Sequence, residues 1–263
     1  MSTRSLTTAV GEPLLQRQKD ILGVRVAPFD RAEATDYLVR RIRERRFTKV
    51  GFLNAHIANI ASSDTRFAAL LSDFVVLADG VGVDMAAKIL YGAPFPANLN
   101  GTDFIPALLG SQQEPLTVGL LGATRDNVER AAARLQEMVP QHRFIVVHDG
   151  FFDVTAEDEI LTRLGRLHPD VLLVAMGVPR QEYWIASRLN ADHCTAAFAV
   201  GALFDFLSGA IPRAPSWVRR LRLEWLFRLG LEPARLWRRY IVGNPLFLCR
   251  VLLQKLRRTG PTA

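Results

Sequence analysis

The chain has 263 residues, 49% of them hydrophobic and 22% charged, which is enough apolar material for one large core and too much for a disordered chain. Its net charge of +7 is uneven: residues 211–263 carry twelve Arg or Lys against two acids, and residues 1–210 carry 21 against 24, so a mildly acidic body bears a cationic tail suited to a polyanion or an anionic membrane surface. Two cysteines without metal-ligand spacing, no apolar signal core near the start and no uncharged run close to the roughly 20 residues of a bilayer span argue against a disulfide scaffold, a secreted precursor and a transmembrane chain.

Residues 1–20 read as a flexible leader. A helical pattern, "RAEATDYLVRRIRER", covers 31–45, and "KVGFLN" (49–54) reads as the first strand. A helix is predicted over 55–71, then a strand over 73–80. Further strands are predicted at 116–123, 143–150, 171–177 and 195–201. These runs are apolar on consecutive residues, as in strands buried on both faces of a parallel sheet. Helices fall between them at 124–138, with Thr124 or Asp126 as N-cap, and at 153–167, where Thr155 and Asp158 form a capping signal. Alternating strands and helices give a doubly wound, mostly parallel α/β sheet, with a core over 21–210 and a basic helical appendage over 211–263.

In the appendage, Trp217, Leu221 and Trp225 share one helical face while Leu223, Leu226 and Phe227 lie elsewhere around it. Asn244-Pro245 is expected to interrupt a helix. Beyond it, 246–258 predicts an amphipathic helix with Leu248, Cys249, Leu252 and Leu256 on one face and Arg250, Gln254 and Arg257 on the other. That is the pattern of a helix lying in an anionic interface. Packing on the body, or on a second copy in a homo-oligomer, is the alternative use of its apolar face.

Several strands end in small or polar residues: Asn54, Asp79, Gly80, Gly122, Asp149, Gly150, Gly177 and Gly201. The carboxyl ends of strands line the ligand crevice of open α/β sheets, although glycines there also simply permit tight turns. "VVLADGVGVDMAAK" puts Asp79 at a strand end before a helix, either as a turn former or as a general base. "GLLGATRDN" lacks the G-x-G-x-x-G spacing, which disfavours a nicotinamide oxidoreductase. The five histidines show no H-x-x-x-H pairing and no Asp-x-Asp occurs, so no metal is expected, and a diphosphate would be neutralised by arginines and helix N-termini. Gln181 and Glu182 start a helix at the crevice face. Asp205 sits among Leu203, Phe204, Phe206 and Leu207, and a carboxylate in that company needs a partner or a task. A salt bridge to an arginine of the tail is the structural alternative.

"LADGVGV", "NGTDF", "GVPRQEYW", "VGALFDFLSGAIPRAPSWVRRLRLEWLFRL" and "EPARLWRRY" together resemble the WecG/TagA/CpsF glycosyltransferases over residues 50–241. The resemblance implies a Rossmann-like, inverting, metal-independent enzyme with no cofactor. Such an enzyme moves a sugar from a UDP-sugar donor to a polyprenyl-diphosphate-linked saccharide acceptor, peripherally attached to the cytoplasmic face of the bacterial inner membrane. It implies Asp79 as the catalytic base, Asn54, Gln181 and Asp205 near the donor sugar, and Arg213, Arg219, Arg220 and Arg222 on the UDP phosphates. Gly80, Asn100, Gly122 and Glu182 complete the expected substrate-binding set. Two departures from the family pattern, Phe52 in place of a threonine and Asn98 in place of an arginine, favour a hexose such as glucose over N-acetylmannosamine. Members acting on exopolysaccharide repeat units, with xanthan- or acetan-like β-1,4-glucosyl transfer, look like the nearest kind. The different-class alternative is a nucleic-acid-binding protein. Against it, the tail arginines are interleaved with large aliphatic residues and no reading motif is present.

Overall fold

A computed structural model describes residues 17–259. β1 (Lys19–Ile21) and β2 (Val24–Val26) form an antiparallel hairpin. Of the predicted leader, residues 1–16 lie outside the described residues, while Lys19 and Asp20 belong to β1. α1 (Arg31–Arg43) starts with a reciprocal cap: the Asp30 side chain accepts from the Glu33 N–H and the Glu33 side chain accepts from the Asp30 N–H, both at 2.8 Å, which satisfies two otherwise unpaired donors.

The six predicted strands are all present: β3 (Thr48–Leu53), β4 (Phe74–Ala78), β5 (Thr117–Gly122), β6 (Arg143–His148), β7 (Val171–Ala175) and β8 (Ala196–Ala199). They form one parallel sheet in the order β4-β3-β8-β7-β5-β6. The helix predicted over 55–71 is two, α2 (Ala55–Ser63) and α3 (Thr65–Leu71). The break falls at Asp64, whose carboxylate caps α3 by accepting from the Arg66 and Phe67 N–H groups and also accepts from the Tyr183 hydroxyl at 3.0 Å. α4 (Val81–Tyr91) and α5 (Gly101–Gly110) follow. Thr124 caps α6 (Arg125–Met138) as expected. α7 (Val154–Leu167) is capped two residues earlier than predicted, by Asp153 rather than Thr155. α8 (Arg180–Arg188) and α9 (Leu203–Leu207) complete the core.

Strand side chains alternate between two buried layers. Leu53, Val76, Leu121, Leu172 and Ala197 join one apolar cluster with α2, α3, α4 and α8. Val50, Leu77, Leu120, Leu173 and Phe198 join the other with α1, α5 and α6. Burial on both faces is why the strand sequences show no polar alternation.

The appendage is a chain of short helices: α10 (Ser216–Arg220), α11 (Glu224–Leu231), α12 (Pro233–Trp237), a π-helical turn (Arg238–Val242) and α13 (Gly243–Thr259). Residues 217–229 are therefore not one helix; Arg222, at φ 59°, turns the chain between α10 and α11. Asn244-Pro245 does not break α13. The π turn resets the hydrogen-bond register just before it, and Pro245 falls in the first turn, where a missing N–H is tolerated.

The predicted faces of α13 are also revised. Phe247 and Val251 are buried against α2 and α4. Arg250 faces the body and donates to the Asn59 carbonyl at 2.9 Å and the Ser63 hydroxyl at 2.8 Å. Gln254 bonds both Asp20 and the Leu22 N–H. Cys249, Leu252, Leu253 and Leu256 point outward. The helix carries more apolar residues than one stripe can hold, and the stripe with matching polar partners beside it is the one that docks. Cys249 is free, and the buried Cys194 is free as well, its thiol pushed up to about 12 by burial.

Gly122 ends β5 at φ 131°, and a Cβ there would lie 2.3 Å from the Ala175 carbonyl oxygen on β7. Only glycine fits such a backbone approach. Gly122→Ala is expected to lower stability by about 3 kcal/mol or more, read as the shift in urea unfolding midpoint.

Candidate active site

The carboxyl ends of all six parallel strands open into a cavity of about 1380 Å³, lined among others by Asn54, Asp79, Ala123, Gly150, Ala175 and Val200. The appendage roofs it. This volume exceeds that of a pocket for one small ligand and suits a nucleotide sugar together with the head of a second substrate. Its wall carries eight arginines against four carboxylates (Asp64, Asp79, Asp205 and Glu224), so it is a trap for a polyanion.

Asp79 is the carboxylate at the end of β4. Asn54, at the end of β3, caps α2: its side-chain oxygen accepts from the His56 and Ile57 N–H groups, each at 3.1 Å. That fixes which way the carboxamide faces and leaves its NH₂ to donate to Asp79 Oδ2 at 3.4 Å. Burial raises the Asp79 pKa, and the Asn54 amide and the Arg239 charge oppose the shift without cancelling it. The result is a carboxylate poised to accept a proton. Gly80 follows at φ 92°, with its N–H donated to Asn98 Oδ1 at 2.8 Å. Phe52 and Asn98, the two departures from the family pattern, both line the cavity; Asn98 fixes the turn that presents Asp79. His56, in the first turn of α2, also lines it. Burial first, and then Arg239, push its pKa down to about 4, so its ring is neutral at pH 7.

The arginines sort into two groups. Arg213 is tied to Asp103 at 2.7 Å and to Glu224, Arg219 lies 3.7 Å from Asp103, and Arg222 is bonded to buried Asp84 at 2.7 Å. Burial works against ionisation of Asp103, but the Asn100 amide and the Arg213 guanidinium outweigh it and hold the carboxyl below the usual range. Arg228, Arg235, Arg238 and Arg239 line the cavity from α11, α12 and the π turn, and of these Arg235 is itself paired with Glu232 at 2.8 Å. Arg228 lies 5.1 Å over the Phe206 ring, and the Nε atoms of Arg228 and Arg239 are buried without a hydrogen-bond partner. Among the described residues no three His, Cys, Asp or Glu side chains gather into a metal-holding group.

A half-buried carboxylate in a cationic cavity on a parallel α/β sheet is shared by many enzymes, and comparison with known proteins narrows it. Residues 19–261 match the glycosyl transferase WecG/TagA/CpsF family. The chain belongs to this family. It is 33% identical over 211 residues to an N-acetylglucosaminyldiphosphoundecaprenol N-acetyl-beta-D-mannosaminyltransferase of Bacillus spizizenii, covering 79% of this chain and 80% of that one. Proteins of the same name in Bacillus subtilis (30% identity, 84% and 85% covered) and Staphylococcus aureus (31%, 77% and 78%) are similarly related. The chain is thus a glycosyltransferase. The expected kinship with exopolysaccharide glucosyltransferases is corrected by these names, which specify N-acetylmannosaminyl transfer. Asn98 has a local structural task, accepting from the Gly80 N–H.

Within this WecG/TagA/CpsF enzyme the predicted residues are distributed as follows. Asn54, Asp79, Gly80, Asn100, Gln181, Asp205, Arg219 and Arg222 line the cavity. Asn100 caps α5 by accepting from the Asp103 N–H at 3.0 Å. Asp205 is held by the Asn127 amide at 2.9 Å, not by a tail arginine; α6 packs on α9, and the nearby tail residue Arg228 lies over the Phe206 ring instead. Glu182 lies behind Gln181, outside the cavity wall. Gly122 packs against Ala175 and Arg213 against Asp103, both off the cavity, and Arg220 is exposed away from it. Arg228, Arg235, Arg238, Arg239 and His56 are cavity residues that the sequence reading did not single out. Arg228, Arg235 and Arg239 stand on three separate short elements, so no single helical period marks them in the sequence.

Proposed function

We propose that this glycosyltransferase moves an N-acetylmannosaminyl group from a UDP-linked donor to N-acetylglucosaminyl-diphosphate-polyprenol with inversion. The observation that carries the reading is Asp79, held by the capping amide of Asn54 on the floor of an arginine-roofed cavity. In this reading the acceptor hydroxyl oxygen attacks C1 of the donor sugar and its proton passes to Asp79. The C1–oxygen bond to the diphosphate breaks, and the electron pair leaves with UDP. Arg228, Arg235, Arg238 and Arg239 meet the charge that builds on the leaving diphosphate. No metal or organic cofactor enters the reading. The names of the relatives support both donor sugar and acceptor. The test is a panel of UDP-sugars offered with N-acetylglucosaminyl-diphosphate-prenol, with products identified by mass. Turnover confined to UDP-N-acetylmannosamine supports the reading, and turnover confined to UDP-glucose sinks it.

Access to a lipid-borne acceptor gives the appendage a second task in this proposal. No helix among the described residues is long and apolar enough to cross a membrane. Trp217, Leu221, Ile241, Val242, Leu252 and Leu253 are each more than half or about half exposed, on a segment with a large positive excess. Exposed apolar side chains amid arginines fit an anionic bilayer surface, with each basic residue near it contributing about 1 kcal/mol. A double change, Leu252→Glu with Leu253→Glu, is expected to lower binding to anionic vesicles at least about tenfold, measured by co-sedimentation, without lowering turnover of a short, water-soluble acceptor.

A further inference from the structure

Glu182 is a carboxyl group in an unlikely place for one. It is 2% exposed, on the sheet-facing side of α8, with Trp184 and Ile185 buried on the same helix. Its Oε1 accepts from Gln181 Nε2 at 2.8 Å, and its Oε2 has no hydrogen-bond partner. Burial pushes its pKa up to about 7, with the Gln181 amide and its own backbone opposing the shift. A buried carboxyl with an unmet oxygen costs stability, so a purely structural role would be better filled by an apolar side chain.

Gln181 provides the task. It is 1% exposed yet lines the cavity. Its Oε1 accepts from the Gly201 N–H at 3.1 Å, and Gly201 lines the same cavity at the end of β8. A carboxamide has two N–H donors and an oxygen with two lone pairs. The Gly201 N–H marks the oxygen end and Glu182 takes one N–H, so the amide cannot flip, and its second N–H remains for the cavity.

We propose that Glu182 is a positioning residue for glycosyl transfer: it locks the Gln181 carboxamide so that an N–H faces the substrate, without touching the substrate itself. The inference rests on the proposed role of the cavity as the donor site. Its test has one arm that needs no donor.

The variant is Glu182→Met, which keeps the volume and removes the acceptor. It should unfold at a temperature equal to or above that of the native chain, while kcat/KM for the donor falls about tenfold, the worth of one positioned hydrogen bond. In a Gln181→Ala background the same change should alter kcat/KM less than about twofold, since the group it positions is gone. Glu182→Gln, which retains an acceptor oxygen at the Oε1 position, should restore most of the activity. Independently of any donor, the Gln181 side-chain NH₂ signal, identified by its absence from Gln181→Ala, should be slow to exchange with solvent in the native chain and faster in Glu182→Met. An unchanged NH₂ signal overturns the proposal whatever the donor proves to be. So does a Glu182→Met loss of equal size in both backgrounds. A native chain inactive with N-acetylmannosaminyl and glucosyl donors alike, but showing the NH₂ change, retains the positioning and removes the functional reading.

Discussion

Asp79→Asn is expected to lower kcat by about 10²- to 10⁴-fold, the range of a single positioned general base, with little change in KM for the donor. Asparagine keeps the shape and can still bond the Asn54 amide, so the loss reports proton acceptance and not a collapsed site. A second readout has the opposite sign. Burial raises the Asp79 pKa in the folded chain, so as pH rises the unfolded chain ionises first, and above the ordinary carboxylate range the group disfavours the folded state. Below the ordinary carboxylate range the group is neutral in both states and the penalty vanishes. Asp79→Asn should therefore raise the unfolding temperature at pH 7, and the difference should shrink in acid. A variant both more stable and nearly inactive is the signature of a group kept for chemistry. A variant with native kcat removes Asp79 as the base.

Arg239→Met is expected to lower kcat/KM by about 10²- to 10³-fold, as for loss of one donor to developing charge. Arg239 enters the cavity from the π turn, half-buried, with its Nε buried and unpaired. Burial lowers its own pKa, and Arg228 and Arg235 add to that shift while Tyr240 and Asp79 oppose it. Crowding of like charge is unfavourable until an anion arrives, which is the condition for a strong diphosphate site. The same cation restrains the rise in the Asp79 pKa and helps keep His56 neutral. Its removal should move the acid limb of the kcat/KM–pH profile upward, because the proposed mechanism requires ionised Asp79 and its pKa is then free to rise further. Methionine preserves most of the side-chain length, and the unfolding temperature checks that the appendage remains docked. An unchanged pH profile would mean that Arg239 does not act on Asp79.

Much of the sheet was legible because strands buried on both faces write themselves as unbroken apolar runs. All six appear within a few residues of their predicted bounds. The β1–β2 hairpin escaped because three-residue strands carry no usable period. Asp64 escaped because a cap inside a continuous apolar pattern looks like an ordinary helical acid until Tyr183 is seen to bond it. In the site, Asp79, Asn54 and Gln181 were readable as strand-end and helix-start polar groups, since that position alone puts a side chain in the crevice. The arginines were not. Arg213 and Arg222 stand in the more conspicuous motif, yet Asp103 and Asp84 neutralise them, and partners more than a hundred residues away leave no local trace. The outward face of α13 was misassigned for the same reason: Arg250 and Gln254 turn inward only because Asn59, Ser63 and Asp20 await them.

The proposed reaction is direct displacement at C1 by an acceptor oxygen whose proton goes to one base. The measurement that meets it most squarely is the anomeric configuration of the product formed by the native chain from α-linked UDP-N-acetylmannosamine and N-acetylglucosaminyl-diphosphate-prenol, read from the one-bond C1–H1 coupling by NMR. A single displacement predicts a β-linked disaccharide on the lipid. An α-linked product, which requires two displacements and a nucleophile that the proposed roles do not include, would contradict the account.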